Sequence, residues 1–441
     1  MSALREVSNL ANNHGVDLKQ RQQASRIDPN SNGFSGVSFL HQDSLHRGTQ
    51  QQQQQHQQQL SQRLAGVNSI SATTSHSLHS FMARSSDGGD LHAHARRTSA
   101  MGSLRASRAF SSPRADARHA HEPTYCTDLI GDITDMFVER ERQAVARFNE
   151  GNASNGPTNT STLYAYYASP QYLQHQPEIN EKMRMILVDW LIDVHLKFKL
   201  HAETMYLAVN IIDRYLSCAN TKVDRTTFVP RAQLQMVGVS AMLLAAKYEE
   251  IWPPEVKECV HISANTYTRE EIIAMERSIC TALSFRLTVP TPFPFASRAW
   301  TVLDGDDFLG VGADEEQRRH HFSIVRHATG FFMEHALLDY KSLHFTPSQI
   351  AHASVFLALL TLRTKLELPV TSSSSSLPVW TDALRYYTRS DVQDFRGCAE
   401  VILEYVNYVP TTKYQAVRRK YNSSRYMEIS KLLLPNELPA P

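Results

Sequence analysis

Residues 235–247, QMVGVSAMLLAAK, are almost entirely apolar, and residues 349–361, QIAHASVFLALLT, repeat their pattern. Small or aliphatic side chains lie on every side of both predicted helices, so each is expected to be surrounded by other helices. A second pair of segments, YTREEIIAMERSICTAL from Tyr267 and YTRSDVQDFRGCAEVIL from Tyr387, recurs in the same order and at a similar spacing. We therefore infer an internal duplication, with two similar helical bundles in tandem.

Helical periodicity continues through most of the chain beyond Pro123, whereas the alternating pattern of strands is nearly absent. The predicted fold class is therefore all-α. Strong helical runs are predicted at residues 127–148, 179–198, 202–216, 231–248, 268–283, 317–338, 347–366, 391–405 and 414–420.

Residues 1–122 differ in composition from the rest of the chain. They are polar and mildly basic, they include the Gln-rich tract at residues 50–59, and they contain few aliphatic clusters. Such a segment buries too little apolar surface to offset its chain entropy, so we expect a disordered, Gln-rich regulatory tail. Basic and acidic residues are nearly balanced in the remainder, which does not favour a nucleic-acid partner.

The five cysteines are scattered, with no Cys-x-x-Cys pair and no signal peptide. This pattern is typical of reduced thiols, so the expected location is the nucleus and the cytoplasm. No apolar stretch reaches the length of about 18 residues that spans a bilayer, so no membrane association is expected. No ligand pattern indicates a metal or a cofactor.

Several motifs in order carry a resemblance to a known family. They are KMRMILVDWLIDVHLKFKL at 182–200, LAVNIIDRYLS at 207–217, LQMVGVSAMLLAAKYEEIWPPEV at 234–256, TYTREEIIAMERSICTALSFRLTVPTP at 266–292 and KYQAVRRKYNSSRYMEIS at 413–430. The chain resembles the mitotic, A/B-type cyclins. The resemblance implies a non-catalytic subunit that activates a cyclin-dependent serine/threonine protein kinase.

The resemblance also implies the domain organisation. Two tandem five-helix cyclin folds are expected, preceded by an N-terminal helix. The expected boundaries are 1–122 for the tail, 123–290 for the N-terminal helix and first cyclin fold, 291–434 for the second fold, and 435–441 for a flexible C-terminal tail.

Lys247 and Glu276 are the first candidate functional residues. The aligned repeats place Thr361 and Arg396 opposite them, so the fold itself does not require this pair. By resemblance they lie at the kinase interface, where charge-assisted hydrogen bonds to kinase backbone groups are strong. The alternative is a solvated ion pair that joins two helices. The resemblance surrounds the pair with Tyr248, Glu250, Phe285 and Leu287, although Phe285 could equally be a core residue.

A second candidate is the stripe formed by Met183, Ile186, Leu187 and Trp190. Their spacing places them on one side of a helix, and the structural interpretation is an ordinary core face. By resemblance the stripe is an exposed groove that docks Arg-x-Leu motifs of substrates or inhibitors. An acidic residue beside an apolar groove would suit a peptide with one cationic and one aliphatic side chain. The resemblance completes this groove with Asp193, Leu234 and Gln235.

Four further polar residues are expected to have structural roles. By resemblance Arg184 and Asp189 are internal braces, with Asp189 bound to backbone groups and Arg184 to neighbouring helices. Asp213 and Arg214 belong to the motif IDRYL and are expected to be architectural in the same way.

Two other functions were weighed against the kinase subunit. A TFIIB-like cyclin-fold transcription factor would favour a zinc ribbon and a basic helix, and neither is recognisable in the sequence. An enzyme with its active site inside the helical bundles would need a nucleophile or a metal-ligand constellation, and the duplicated region has none that we can identify.

Overall fold

The computed structural model describes residues 115–153, 167–218, 228–304, 308–309, 312–368, 378–435 and 437–439. Within these ranges the secondary structure is helical and no β-strand is present. The all-α class predicted from the sequence is confirmed. The expected disordered tail lies outside the described residues as far as position 114, so only its last part can be compared with the structure.

Thirteen α-helices occur in the described residues. They are α1 (Ala115–Arg118), α2 (Ile130–Ala153), α3 (Glu181–Phe198), α4 (Ala202–Ser217), α5 (Leu234–Glu249), α6 (Val256–Ile262), α7 (Arg269–Ala282), α8 (Pro292–Leu303), α9 (Glu315–Leu338), α10 (Pro347–Lys365), α11 (Asp382–Thr388), α12 (Val392–Tyr408) and α13 (Ala416–Tyr421). Short 3₁₀ turns lie at Pro123–Tyr125, Tyr172–His175, Arg231–Gln233, Tyr340–His344, Val409–Thr411, Ser424–Tyr426 and Ile429–Lys431.

The first bundle consists of α3 to α7 and is built around α5, which packs against α3, α4 and α7. Every side chain of α5 from Met236 to Ala246 is buried. Small residues make this possible: a Cβ atom at Gly238 would lie 2.7 Å from Cδ1 of Leu187 on α3. The glycine therefore allows α3 and α5 to approach closely.

The second bundle consists of α8 to α12 and is built in the same way around α10, which packs against α8, α9 and α12. His352 stands on α10 where α5 has its glycine. Its imidazole is 2% exposed and lies near Phe295, Trp380 and Phe395, with ring centroids 6.2, 5.8 and 6.0 Å away. The predicted tandem of two five-helix bundles is therefore confirmed.

The structure corrects the alignment of the second repeated pair. Helices α7 and α12 both begin with a capping box, at Thr268 and Asp391 respectively. Aligning these caps places Glu276 opposite Ala399 and not opposite Arg396 as predicted. With this register, each of the four buried residues of α7 is aligned with a buried residue of α12. The aligned pairs are Ile272 with Phe395, Met275 with Cys398, Ile279 with Ile402, and Cys280 with Leu403.

Four helices were not among the predicted runs. Helix α1 has only 4 residues. Helices α6 and α11 have only 7 residues each, which is too short for a clear periodic pattern. Helix α8 begins with Pro292 at its first turn, and a proline there fits the helix because the first N–H groups have no partner within it. The sequence prediction treated the prolines of this segment as a break.

The two expected tails are more ordered at their inner ends than predicted. Arg298 of α8 holds Asp116 through two hydrogen bonds of 2.5 and 3.0 Å, and the backbone N–H of Ala115 donates to the Tyr387 hydroxyl at 3.1 Å. Residues 115 and 116, which lie within the expected tail, therefore contact the second bundle. At the C-terminus, the carbonyl oxygen of Pro439 accepts from Arg396 at 2.8 Å, so residues 437–439 are not free.

Helix α2 is fixed to the second bundle by an acidic side chain. Glu141 accepts from the backbone N–H of Ser348 at 2.9 Å and from the hydroxyl of the same serine at 2.5 Å. Ser348 lies in the first turn of α10, where backbone donors have no partner within the helix. Burial raises the pKa of Glu141 to about 7, and the bonds from Ser348 oppose that shift.

Within the described residues, no helix is long and apolar enough to cross a membrane.

We predict that His352 makes folding stability depend on pH. Burial lowers the pKa of His352 to about 3, whereas a histidine in an unfolded chain titrates near 6.5. The unfolded state therefore takes up a proton first, and the free energy of unfolding falls as the pH drops from about 6.5 toward 3. His352→Leu removes this dependence, so the stability of the variant relative to wild type should increase by about 1 kcal/mol per pH unit between pH 6 and pH 4.

Urea unfolding of both proteins across this pH range measures the difference. His344→Leu, which removes an exposed imidazole, is the matched control and should retain the pH dependence of wild type. A stability difference between His352→Leu and wild type that stays constant with pH would contradict the assignment.

Candidate functional site

The last turn of α5 joins α7 through an ion pair at the surface. The Lys247 ammonium lies 2.5 Å from Oε1 of Glu276, with side chains that are 43% and 15% exposed. The apolar helix α5 thus ends in a charged group that reaches out of the bundle, and the glutamate lies beside it in a partly desolvated position. At the equivalent places of the second bundle, Thr361 and Ala399 are completely buried.

Large apolar side chains at the ends of α5 and α7, or just after them, are exposed. Tyr248, Ile251, Trp252 and Phe285 have 46%, 86%, 89% and 72% of their surface accessible. The hydroxyl groups of Tyr248 and Thr288 are hydrogen-bonded to each other, which brings the segment after α5 next to the segment after α7. A cluster of exposed apolar groups of this kind marks an interaction surface. We call these four residues with Lys247 and Glu276 the partner face.

Backbone conformation contributes to the exposure of Phe285. Ser284 and Phe285 have φ values of 51° and 57°, a left-handed conformation that is uncommon for bulky residues. The turn ends α7, because the N–H of Phe285 donates to the carbonyl of Cys280 at 2.9 Å. The aromatic ring consequently projects from the surface, and the interpretation of Phe285 as a core residue is wrong. Strained backbone that displays a side chain is often found at functional positions.

The structure assigns two other residues of the predicted kinase-binding set to the fold. Glu250 accepts from the backbone N–H of His201 at 2.7 Å and from the Thr204 hydroxyl, so it caps the first turn of α4. Its side chain is 8% exposed, and the prediction that it is available to a partner needs correction. Leu287 is half-buried and packs against the core. Ile251 and Trp252 were absent from the predicted set, although the segment Trp-Pro-Pro is an evident signal of an apolar loop.

The predicted docking stripe on α3 is only partly accessible. Met183, Leu187 and Leu234 are 3%, 5% and 4% exposed and belong to the core, so the expectation of an exposed groove does not hold for them. The close approach of α3 and α5 at Gly238 accounts for the burial of Leu187. Half-buried groups remain at the surface, namely Ile186, Trp190 and Gln235. A docking surface here would consist of these three residues and the exposed Asp193.

Asp193 is paired with the C-terminal part of the chain. Its Oδ2 accepts from Arg419 of α13 at 2.7 Å. One turn earlier on α3, Asp189 accepts from the backbone N–H of Ala416 at 2.9 Å. Burial raises the pKa of Asp189 to about 6 against the opposing effect of this hydrogen bond, and burial also raises the pKa of Asp193. Helix α13 therefore lies along the face of α3 that carries both carboxylates.

The remaining predicted structural residues are buried and fully engaged. Arg184 donates to both carboxylate oxygens of Asp213 at 2.7 Å and to the carbonyl of Leu337 on α9 at 2.8 Å, which links the two bundles. Arg214 donates to the carbonyl of Arg286 at 2.9 Å, close to the turn that displays Phe285. No group of three or more His, Cys, Asp or Glu residues in the described ranges is arranged to hold a metal ion.

Comparison with known proteins identifies both bundles. The family model for the cyclin N-terminal domain matches residues 158–288, and the model for the cyclin C-terminal domain matches residues 290–435. These two regions correspond to the two helical bundles of the structure.

Two of the similar proteins carry the names of mitotic or B1 cyclins. The chain is 39% identical over 251 residues to G2/mitotic-specific cyclin S13-7 of Glycine max, covering 57% of this chain and 84% of that protein. It is 39% identical to Cyclin-B1-1 of Oryza sativa subsp. japonica, covering 58% of this chain and 50% of the relative. The matched region therefore spans most of the first relative and about half of the second. Among solved structures, a viral cyclin from herpesvirus saimiri has a TM-score of 0.41 at 20% identity, over 53% of this chain and 88% of that one.

We predict that Glu250 and Glu276 differ in their effect on stability. Glu250→Ala leaves the donors at the start of α4 without their acceptor, which should lower the free energy of unfolding by about 1–3 kcal/mol. Glu276→Ala breaks a pair whose lysine is in solvent and should cost less than about 1 kcal/mol. Chemical denaturation of the two variants measures both values. Equal losses would show that Glu276 is also a structural residue.

Proposed function

Because the chain belongs to the cyclin family, we propose that it is the non-catalytic regulatory subunit that binds and activates a cyclin-dependent serine/threonine protein kinase. The observation that carries this proposal is the partner face. Trp252 and Phe285 follow the two helices that are joined by the Lys247–Glu276 pair, and both are exposed. Aromatic residues of this kind dominate the binding energy of protein interfaces. A partner would remove this surface from water and desolvate the ion pair.

The mechanism that we propose is a shift of the kinase between two conformations. A protein kinase is active only when a strand lysine meets a glutamate of its regulatory helix, which orders the bound Mg·ATP. A subunit that binds the active arrangement more tightly moves the equilibrium toward it. Lys247 would donate to backbone carbonyls of the kinase and Glu276 would accept from backbone amides, and such charge-assisted bonds are strong when water is excluded.

We extend the proposal to the cell cycle. The relatives are named as mitotic or B1 cyclins, which supports a role in mitotic entry or progression and favours a kinase subunit over the TFIIB-like transcription factor. None of the five cysteines forms a disulfide bond, as is usual in reducing compartments. We propose the nucleus and the cytoplasm as the location.

Substrate recruitment is the second half of the proposal. The surface made by Ile186, Trp190, Gln235 and Asp193 combines half-buried apolar groups with a carboxylate. A short peptide with one arginine and one leucine would match this combination. Tethering a substrate at such a surface raises its local concentration at the kinase and leaves the chemistry unchanged.

We predict that the purified protein transfers no phosphate by itself and confers activity on a cyclin-dependent kinase. Lys247→Ala removes one member of a charge pair that the interface desolvates, so kinase binding should weaken by about 2 kcal/mol or more, roughly 30-fold. Trp252→Ala should have an effect of similar size because it removes an aromatic anchor. Calorimetric titration of an inactive kinase subunit, followed by a phosphorylation assay, measures both.

Lys341→Ala is the matched control, because Lys341 forms an exposed pair with Glu404 at 3.9 Å in the second bundle. It should leave binding unchanged. Phosphorylation by the chain alone, or equal weakening by all three substitutions, would contradict the proposed function.

Docking can be tested separately with Trp190→Ala. Activity toward a protein substrate that bears Arg-x-Leu should fall about tenfold, corresponding to about 1.4 kcal/mol of lost tethering. Activity toward a short peptide with only the phosphorylated sequence should persist, since docking occurs away from the kinase active site. A melting curve of the same preparation verifies that the variant is folded. Equal loss on both substrates would reject the docking role while leaving the activating role intact.

A further inference from the structure

The chain supplies its own cation to the acidic end of the docking surface. Arg419 of α13 donates to Asp193 at 2.7 Å, and the two side chains are 46% and 49% exposed. Asp193 follows Trp190 by three residues and Ile186 by seven, so the three side chains share one face of α3. In the docking role proposed above, the arginine of a peptide would bind Asp193, which Arg419 already contacts.

Helix α13 does not depend on this ion pair for its position. Lys420 forms a pair of 2.5 Å with Glu334 of α9, and both side chains are 4% exposed. The Tyr421 hydroxyl donates to the same glutamate at 2.9 Å, and the N–H of Ala416 donates to Asp189 at 2.9 Å.

The contribution of these contacts differs with their burial. Breaking a buried pair such as Lys420–Glu334 leaves an uncompensated charge and is strongly unfavourable. A half-exposed pair such as Arg419–Asp193 adds little to stability. The Arg419 side chain can therefore leave Asp193 while the backbone of α13 stays in place.

We propose that Arg419 is an intramolecular competitor for the docking surface. It determines how much binding free energy the arginine of a bound peptide contributes. The inference rests on the docking role proposed above. Arg419 occupies Oδ2 of Asp193, so a peptide arginine can bind both carboxylate oxygens only when Arg419 has released it. The two guanidinium groups also repel each other when both are near the carboxylate. A peptide that binds through its aliphatic residue alone has no such competition.

Substitution of Arg419 should therefore strengthen binding selectively. With Arg419→Gln, the affinity for a peptide that contains Arg-x-Leu should increase by about fivefold, which corresponds to about 1 kcal/mol. The affinity for the same peptide with alanine in place of arginine should not change. In an Asp193→Asn background, Arg419→Gln should have no effect on either peptide, because the contested acceptor has been removed.

The experiment is fluorescence anisotropy of the two labelled peptides with the full-length chain at fixed low salt. Arg425→Gln is the matched control, since it removes the same charge from a position that lies over the Tyr426 ring and should leave both affinities unchanged. Kinase activation toward the short peptide is measured with Arg425→Gln and should not differ from wild type.

The outcomes distinguish failure of the competitor role of Arg419 from failure of the docking role itself. If Arg419→Gln leaves binding of the Arg-x-Leu peptide unchanged or weakens it, while Asp193→Asn weakens it, docking stands and the competitor role is overturned. If no variant binds either peptide and activation is retained, the docking surface and the competitor role are rejected together. If Arg425→Gln strengthens binding as much as Arg419→Gln, the effect is one of net charge and the competitor role is again overturned.

Discussion

The complete burial of one helix at the centre of each bundle is the constraint on which the rest of the structure depends. Helices α5 and α10 are enclosed along most of their length, so their side chains must be apolar or small and their neighbours must fit closely around them. The two bundles meet this requirement differently at one position. Gly238 lets the neighbouring helix approach, whereas His352 fills the space with a ring among aromatic residues. The same architecture thus tolerates different local packing.

Helix α3 carries a second constraint because it serves several contacts at once. One side packs on α5, and Arg184 connects to Asp213 and to α9 of the other bundle. Another side holds α13 through Asp189 and Asp193. Little of the helix is left for a partner, which explains why part of the stripe expected at the surface is buried. The accessible remainder lies next to α13, so the docking that we propose at this place would be coupled to that helix.

The long helices and the duplication could be predicted from the sequence because apolar periodicity is strong over many residues. The register of the second repeated pair could not. A shift of three residues is close to one helical turn, so both alignments keep a similar apolar pattern. The shared sequence Tyr-Thr-Arg favoured the wrong alignment. The helix caps at Thr268 and Asp391 establish the correct one. Lys247 stood out in the sequence because a charge ends an apolar helix there, whereas Glu276 was singled out through the family resemblance and the repeat comparison. The capping role of Glu250 was not, because its partners at the start of α4 are distant in sequence.

The burial of Thr361 and Ala399 has a consequence for stoichiometry. A duplicated fold could in principle present the same surface twice, and such a subunit would be bivalent and would bring two copies of its partner together. In the described part of this chain the surface built around Lys247 and Glu276 has no counterpart in the second bundle, where the equivalent positions are closed by packing. The described part of the chain therefore presents this surface once and is monovalent for a partner that binds it. The second bundle packs against the first without offering a second copy of the surface.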